Sequence, residues 1–330
     1  MMFKAPIRAG IFPALLLALA PAAQGQDDAP ALQQPIDCTL GDTCFIQNYV
    51  DTDPGPEYRD FTCAALSYDG HKGTDFALPS LAAMEAGVDV YAAAPGVVRG
   101  LRDGMIDRLY TREEDTRIDG RDCGNGMVLD HGNGWQTQYC HMKQGSVTVA
   151  KGDRVEAGQV LGQVGISGRS QFPHLHISVR KDGEVVDPFL PGQAPDTCGA
   201  PGGDTMWFGD IAYQAGGILS AGFATAVPAY DDIKAGTAHS ARIAATAPAI
   251  VVWGYAFGGR QADVMELTID GPQGRIFDTR QLIKGNKAQF FRAAGRRLSD
   301  PLTPGAYTGT VKLERRGEVI STKTVPLMVE

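Results

Sequence analysis

Between residues 88 and 179 the chain is a succession of short apolar segments cut by glycine, a pattern that predicts strands. The segments fall at 88–93, 97–101, 127–130, 135–139, 147–149, 160–164 and 174–179, and 81–86 reads as one short helix. Gly132-Asn133-Gly134 has hairpin-turn composition and joins 127–130 to 135–139. From about residue 205 alternation resumes, punctuated by Asp270-Gly271-Pro272-Gln273-Gly274, Thr303-Pro304-Gly305 and Arg315-Arg316-Gly317. One strand there is explicit: Tyr307, Gly309, Val311 and Leu313 share a face, while Thr308, Thr310, Lys312 and Glu314 take the other. The pattern predicts an all-β dominated chain, with an antiparallel sheet domain followed by an immunoglobulin-like β-sandwich.

Breakers divide the chain further. Pro191 to Pro195 and Gly199 to Gly203 form a linker, placed at 193–204 between a domain at 61–192 and the sandwich at 205–330. Residues 26–60, rich in Asp, Gln and Pro, read as an irregular lead-in held by a disulfide. The first 25 residues carry Lys4 and Arg8, an apolar core and then small residues, the composition of a cleavable signal peptide. No later stretch is long and apolar enough to span a bilayer.

The expected place is therefore periplasmic or secreted, and the six cysteines agree with it, because an even count in an exported chain reads as disulfides. The expected pairs are Cys38 with Cys44 across the Gly41-Asp42 turn, Cys123 with Cys140 across the hairpin segment, and Cys63 with Cys198 closing the first domain. Formal charge is -8, and loss of the leader removes Lys4 and Arg8 with no acid, leaving -10. Such a surface excludes nucleic acid as a natural partner and favours a neutral or amphoteric polymer.

Candidate chemistry lies in three places. On the strand after Pro173, His174 and His176 point to one side and Leu175 and Ile177 to the other. His71-Lys72-Gly73-Thr74-Asp75 adds an imidazole and a carboxylate, and Tyr139-Cys140-His141 adds a fourth histidine. Two histidines, one carboxylate and an open position form a recurrent catalytic zinc set. Each motif alone is weak, since His-x-His pairs also occur on exposed strand faces and Gly73 argues a turn inside the first motif.

Together, in this order, the motifs resemble the signatures of the lysostaphin/LytM family of zinc metallopeptidases. The flanks are similar too, in Gly73-Thr74-Asp75-Phe76-Ala77, Asp130-His131-Gly132-Asn133-Gly134 and Gly158-Gln159-Val160-Leu161-Gly162, and the likeness covers about residues 65–190. The resemblance implies zinc held by His71, Asp75 and His176, with His141 and His174 beside a zinc-activated water, and peptidoglycan peptides as substrate. One of the two free imidazoles would act as base, the other would stabilise the oxyanion or protonate the leaving amine; the sequence leaves that division open.

The remaining histidines read as structural: His131 at the hairpin tip and His239 in the C-terminal region. Tyr68 reads as packing, with an oxyanion contact as the other option. The acidic insertion between Arg102 and Arg121 reads equally as a groove wall or a solvated loop. No catalytic constellation marks the C-terminal domain, which is left to wall binding, a protein partner or bracing. Two rival readings stand beside the peptidase: a noncatalytic wall-binding or hydrolase-activating scaffold that keeps the zinc site, and a zinc enzyme of small substrates.

Overall fold

A computed structural model describes residues 1–2, 29–192, 197–199 and 205–330. The signal peptide read at 1–25 lies outside the described residues apart from its first two positions, as do 193–196 and 200–204 of the linker. No helix among the described residues is long and apolar enough to cross a membrane.

The N-terminal half is built on strands β1 (Phe45–Asn48), β2 (Thr74–Ala77), β3 (Asp89–Tyr91), β4 (Gly96–Arg102), β5 (Asn125–Gly132), β6 (Trp135–Met142), β7 (Arg154–Val155), β8 (Val160–Gln163), β9 (His174–Lys181) and β10 (Glu184–Val186). Eight of them form one antiparallel sheet in the order β1-β2-β9-β6-β5-β4-β7, with β10 on β9, and β3 pairs with β8. Alternation decides the faces: Leu175, Ile177 and Val179 of β9, Tyr139 of β6 and Leu129 of β5 are all buried on the core side. Between β5 and β6 the turn takes positive φ at Gly132, Asn133 and Gly134, as its composition requires. Leu81–Glu85 is helical, capped by Ser80, whose hydroxyl accepts from Ala83 N at 3.2 Å.

Two expectations are corrected. Residues 147–149 are not a strand: Thr148 N donates to Leu161 O, but no ladder continues it, and Val147 N turns to the Asp103 carboxylate instead. The segment read as an irregular lead-in contributes β1, an edge strand paired antiparallel with β2 through a register shift between Ile46 and Asn48. The three expected disulfides are all present. In the insertion, Asp103 accepts from Gly145 N at 2.9 Å, and Asp107 accepts from Gln144 N at 2.8 Å and Ile166 N at 2.9 Å. These acids bind the insertion down onto neighbouring loops, so the solvated-loop reading fails for them.

The C-terminal half has β11 (Gly217–Ala224), β12 (Arg242–Ile243), β13 (Ala249–Gly259), β14 (Val264–Gly271), β15 (Gly274–Leu282), β16 (Lys287–Arg297), β17 (Gly305–Arg315) and β18 (Glu318–Val329). They form two sheets, β11-β13-β16 and β12-β18-β17-β14-β15, around a shared core that includes Phe223, Val252, Leu267, Val311 and Leu327. All pairings are antiparallel except β12 with β18. Tyr307, Val311 and Leu313 face that core as expected, and Gly309 is the gap into which Phe223 and Val252 pack.

Strand β13 explains how the halves join. Its residues are apolar on both faces: Val252 and Ala256 enter the sandwich core, while Trp253, Tyr255 and Phe257 belong to the core of the N-terminal half. Phe257 meets Phe45 of β1 with ring centroids 5.8 Å apart, and Gln289 Nε2 donates to Gln47 Oε1 at 2.6 Å. The sandwich therefore packs directly behind the edge strand that the sequence left as lead-in.

Candidate metal centre and active site

Register places the site. Asp75 of β2 pairs with His176 of β9, which pairs in turn with Cys140 of β6, so these side chains share the face opposite the core. His174 and His141 flank them, and the loop before β2 brings in His71. Gly73 makes the closure possible: a Cβ there would lie 2.5 Å from Ile177 O and 2.7 Å from His176 Nε2. The turn that the glycine suggested is thus also a close approach between two chain segments.

His71 Nε2, Asp75 Oδ1 and His176 Nδ1 converge. The separations are 3.2 Å for His71 to Asp75, 2.8 Å for His176 to Asp75 and 3.1 Å between the two imidazoles. His174 Nε2 lies 3.5 Å from the same carboxylate oxygen. The His141 ring centroid is 4.6 Å from that of His174 and 6.0 Å from that of His176. All five residues named from the sequence are brought together.

Hydrogen bonds behind the cluster set the tautomers. A carbonyl oxygen can only accept, so His71 Nδ1 donates to Tyr49 O at 2.7 Å, His141 Nδ1 to Ser167 O at 2.8 Å and His174 Nδ1 to Phe172 O at 2.8 Å. His176 Nε2 is 3.0 Å from the Ser178 hydroxyl, a group that can donate or accept. Asp75 Oδ2 accepts from Asn48 Nδ2 at 2.9 Å. In their neutral form His71, His141 and His174 therefore carry their lone pair at Nε2, while the proton of His176 is shared between Nδ1, which faces Asp75 Oδ1, and Nε2, which faces Ser178.

His71 Nε2, His176 Nδ1 and Asp75 Oδ1 lie within 3.2 Å of one another, so the cluster has to hold positive charge between them, as protons or as a metal ion. The donor set, two imidazoles and one carboxylate, each braced from behind, is of the kind that holds a divalent metal. The residues fit the group.

Charge follows from the same contacts. Burial opposes the Asp75 anion, but His71 and His174 outweigh it and hold its carboxyl well below the usual range. Burial also disfavours the His71 imidazolium, yet the Asp75 carboxylate beside it raises its pKa. Burial, reinforced by His174 and His176, drives His141 well below the ordinary histidine value, and burial lowers His174 against the pull of Asp75. His141 and His174 are thus kept neutral, the form that accepts a proton. His141 is also held at φ 62°, an uncommon conformation for a residue with a side chain, with its N–H donating to Cys123 O.

The other histidines are structural as expected: His131 bonds Pro95 O and Thr137 Oγ1, and His239 Nδ1 accepts from Phe223 N. Tyr68 packs its ring against His71 at 4.4 Å. The sequence analysis did not single out Asn48, Tyr49, Ser167 or Ser178. Ser178, two positions past His176 on the same strand face, was open to such a reading; the Tyr49 and Ser167 carbonyls were not. Asn48→Ala removes a donor to the Asp75 carboxylate, so the affinity of this group for a divalent metal should fall about 10–100-fold in competition with a chromogenic chelator.

Beneath His71, Asp187 offers a pH test. Burial, reinforced by the Asp60 carboxylate, pushes Asp187 up to about 7, against the hydrogen bond from Phe189 N, and Oδ2 has no partner. An unfolded aspartate ionises near ~3.9, so between about pH 4 and 7 the folded state binds more protons and stability falls as pH rises. Asp187→Asn should flatten that fall, adding on the order of a few kcal/mol at pH 8 and little at pH 4, as read by denaturant melts at both pH values.

Residues 69–188 match the model of peptidase family M23. The chain carries an M23 peptidase domain. Among curated proteins, it is similar to the peptidoglycan DD-endopeptidase ShyA of Vibrio cholerae, 34% identical over 117 residues, which are 36% of this chain and 22% of that protein. It is also similar to the DD-carboxypeptidase/endopeptidase Mpg of Neisseria meningitidis, 33% identical over 120 residues, with the same 36% and 22% coverage. The chain thus spans about a fifth of the length of these relatives. Among solved structures, the catalytic domain of the prophage-encoded M23 protein EnpA from Enterococcus faecalis aligns at 26% identity over 44% of this chain and 92% of that one, with a TM-score of 0.30.

Proposed function

We propose that the protein is an exported zinc endopeptidase that hydrolyses amide bonds in peptidoglycan peptides. The observation that carries this reading is the convergence of His71 Nε2, Asp75 Oδ1 and His176 Nδ1, with two further neutral imidazoles packed beside them. Those three atoms would hold zinc, which when bound supplies a water acidified toward ~7 and a Lewis acid for the scissile carbonyl. Export is supported by the three disulfides, by the leader composition and by the peptidoglycan enzymes among the relatives. The arrangement of three strands against five, with β12 parallel to β18, supports an immunoglobulin-like type for the C-terminal sandwich.

The two outer imidazoles do the proton work. His141 Nε2, neutral because burial and its neighbours disfavour the cation, accepts a proton from the attacking water. His174, 3.5 Å from Asp75, is the ring better placed to bear positive charge beside the developing oxyanion and to protonate the leaving amine. Their Nδ1 bonds to Ser167 O and Phe172 O hold both rings in orientation while the proton moves at Nε2.

Mass analysis of fragments released from purified sacculi tests the reading. Loss of cross-linked species with matching gain of uncross-linked peptides is expected. Fragments cut only in the glycan, or none at all from zinc-loaded protein, would favour the scaffold reading.

A further inference from the structure

The face of the main sheet that carries the site continues beyond it. Pairing puts His176, Ser178 and Arg180 of β9, Gln136 and Gln138 of β6, and Val128 of β5 on that side. Arg180 is four residues from His176, about 13 Å along an extended strand. It is half-buried, and among the described residues no acid pairs with it. Its cross-strand neighbours are Gln136 and Val185, and Asp130, the acid two strands away on this face, is taken by Arg99 at 2.7 Å. Burial lowers the Arg180 pKa and no carboxylate offsets it.

A half-desolvated guanidinium without a counter-ion is costly, and a chain of net charge -8 has carboxylates to spare for it. Farther across the same sheet, Gly100, Gly126, Val128 and Gln138, with Arg102, line a cavity of about 190 Å³. An added Cβ at Gly100 would meet nothing within 4 Å, so β4 is uncovered at that position.

We infer that Arg180 is a specificity residue that binds a free carboxylate of the substrate peptide, about four extended residues from the scissile bond. The inference rests on the endopeptidase reading and adds the chemical class its substrate must have on one side: an anionic peptide. Arg180 touches no reacting atom and acts through binding.

The test uses soluble cross-linked muropeptides from purified sacculi, untreated and with their free carboxyls converted to amides. Binding is read with the full-length, zinc-loaded His141→Ala protein, so that turnover does not interfere. Untreated muropeptides should bind about tenfold more tightly than amidated ones, the scale of one charge-assisted hydrogen bond. Adding Arg180→Gln should remove the difference and Arg180→Lys should restore part of it, with zinc content unchanged in both. Persistence of the preference in the glutamine variant, equal binding of the two preparations, or no binding of the untreated one would overturn the inference. An Arg180-dependent preference in a protein that never cleaves would leave the subsite standing and sink the endopeptidase reading alone.

Discussion

Asp75→Ala should strip the protein of its metal and, on the proposed peptidoglycan substrate, lower hydrolysis by a factor on the order of 10³ or more, because the attacking water then keeps the weak acidity of bulk water instead of being acidified toward ~7. Asp75 Oδ1 is the only carboxylate oxygen among the three converging atoms, and it also faces His174. Without it two imidazoles remain, a set too small for a stable tetrahedral site. Metal analysis after gel filtration should fall from one ion per chain to background, in step with activity. Asp75→Asn, which keeps the shape and the reach to Asn48, should lose most of the metal as well, because the anion is what the site needs. Full metal content in either variant would mean that the ion sits elsewhere.

The second large effect separates holding the metal from using it. His141→Ala should lower kcat by about 10²–10⁴ while metal content stays at the wild-type level. His141 is outside the converging triad, and its ring is held by Ser167 O beside His174 and His176. Parallel loss of metal and rate would instead make His141 a ligand, and an unchanged rate would remove it from the proton path.

Sequence carried the chemistry further than the architecture. His174 and His176 are legible because strand geometry forces i and i+2 to one side, and Asp75 because its motif sits at the start of an apolar strand. The register that joins them, Asp75 opposite His176 opposite Cys140, comes from pairing between segments about a hundred residues apart, which local alternation cannot show. The edge strand β1 was hidden because its four residues are surrounded by Asp, Gln and Pro, and its pairing with β2 rests on long-range contacts. Asn48 and the Tyr49 carbonyl were lost with it. The 147–149 segment failed in the opposite way: Val-Thr-Val has the composition of a strand, but its neighbours offer one backbone bond and the Asp103 carboxylate takes the next N–H. In β13, the unbroken apolar run reflects two buried faces, one in the sandwich and one against β1, a tertiary fact that alternation cannot encode.

Release of new amino groups from purified peptidoglycan sacculi, measured with the protein before and after a zinc chelator and again after zinc is restored, tests the central claim most directly. Steady release that the chelator abolishes and zinc returns is the predicted result. Release that is indifferent to the chelator, or none from any wall type by protein carrying one zinc per chain, would contradict it.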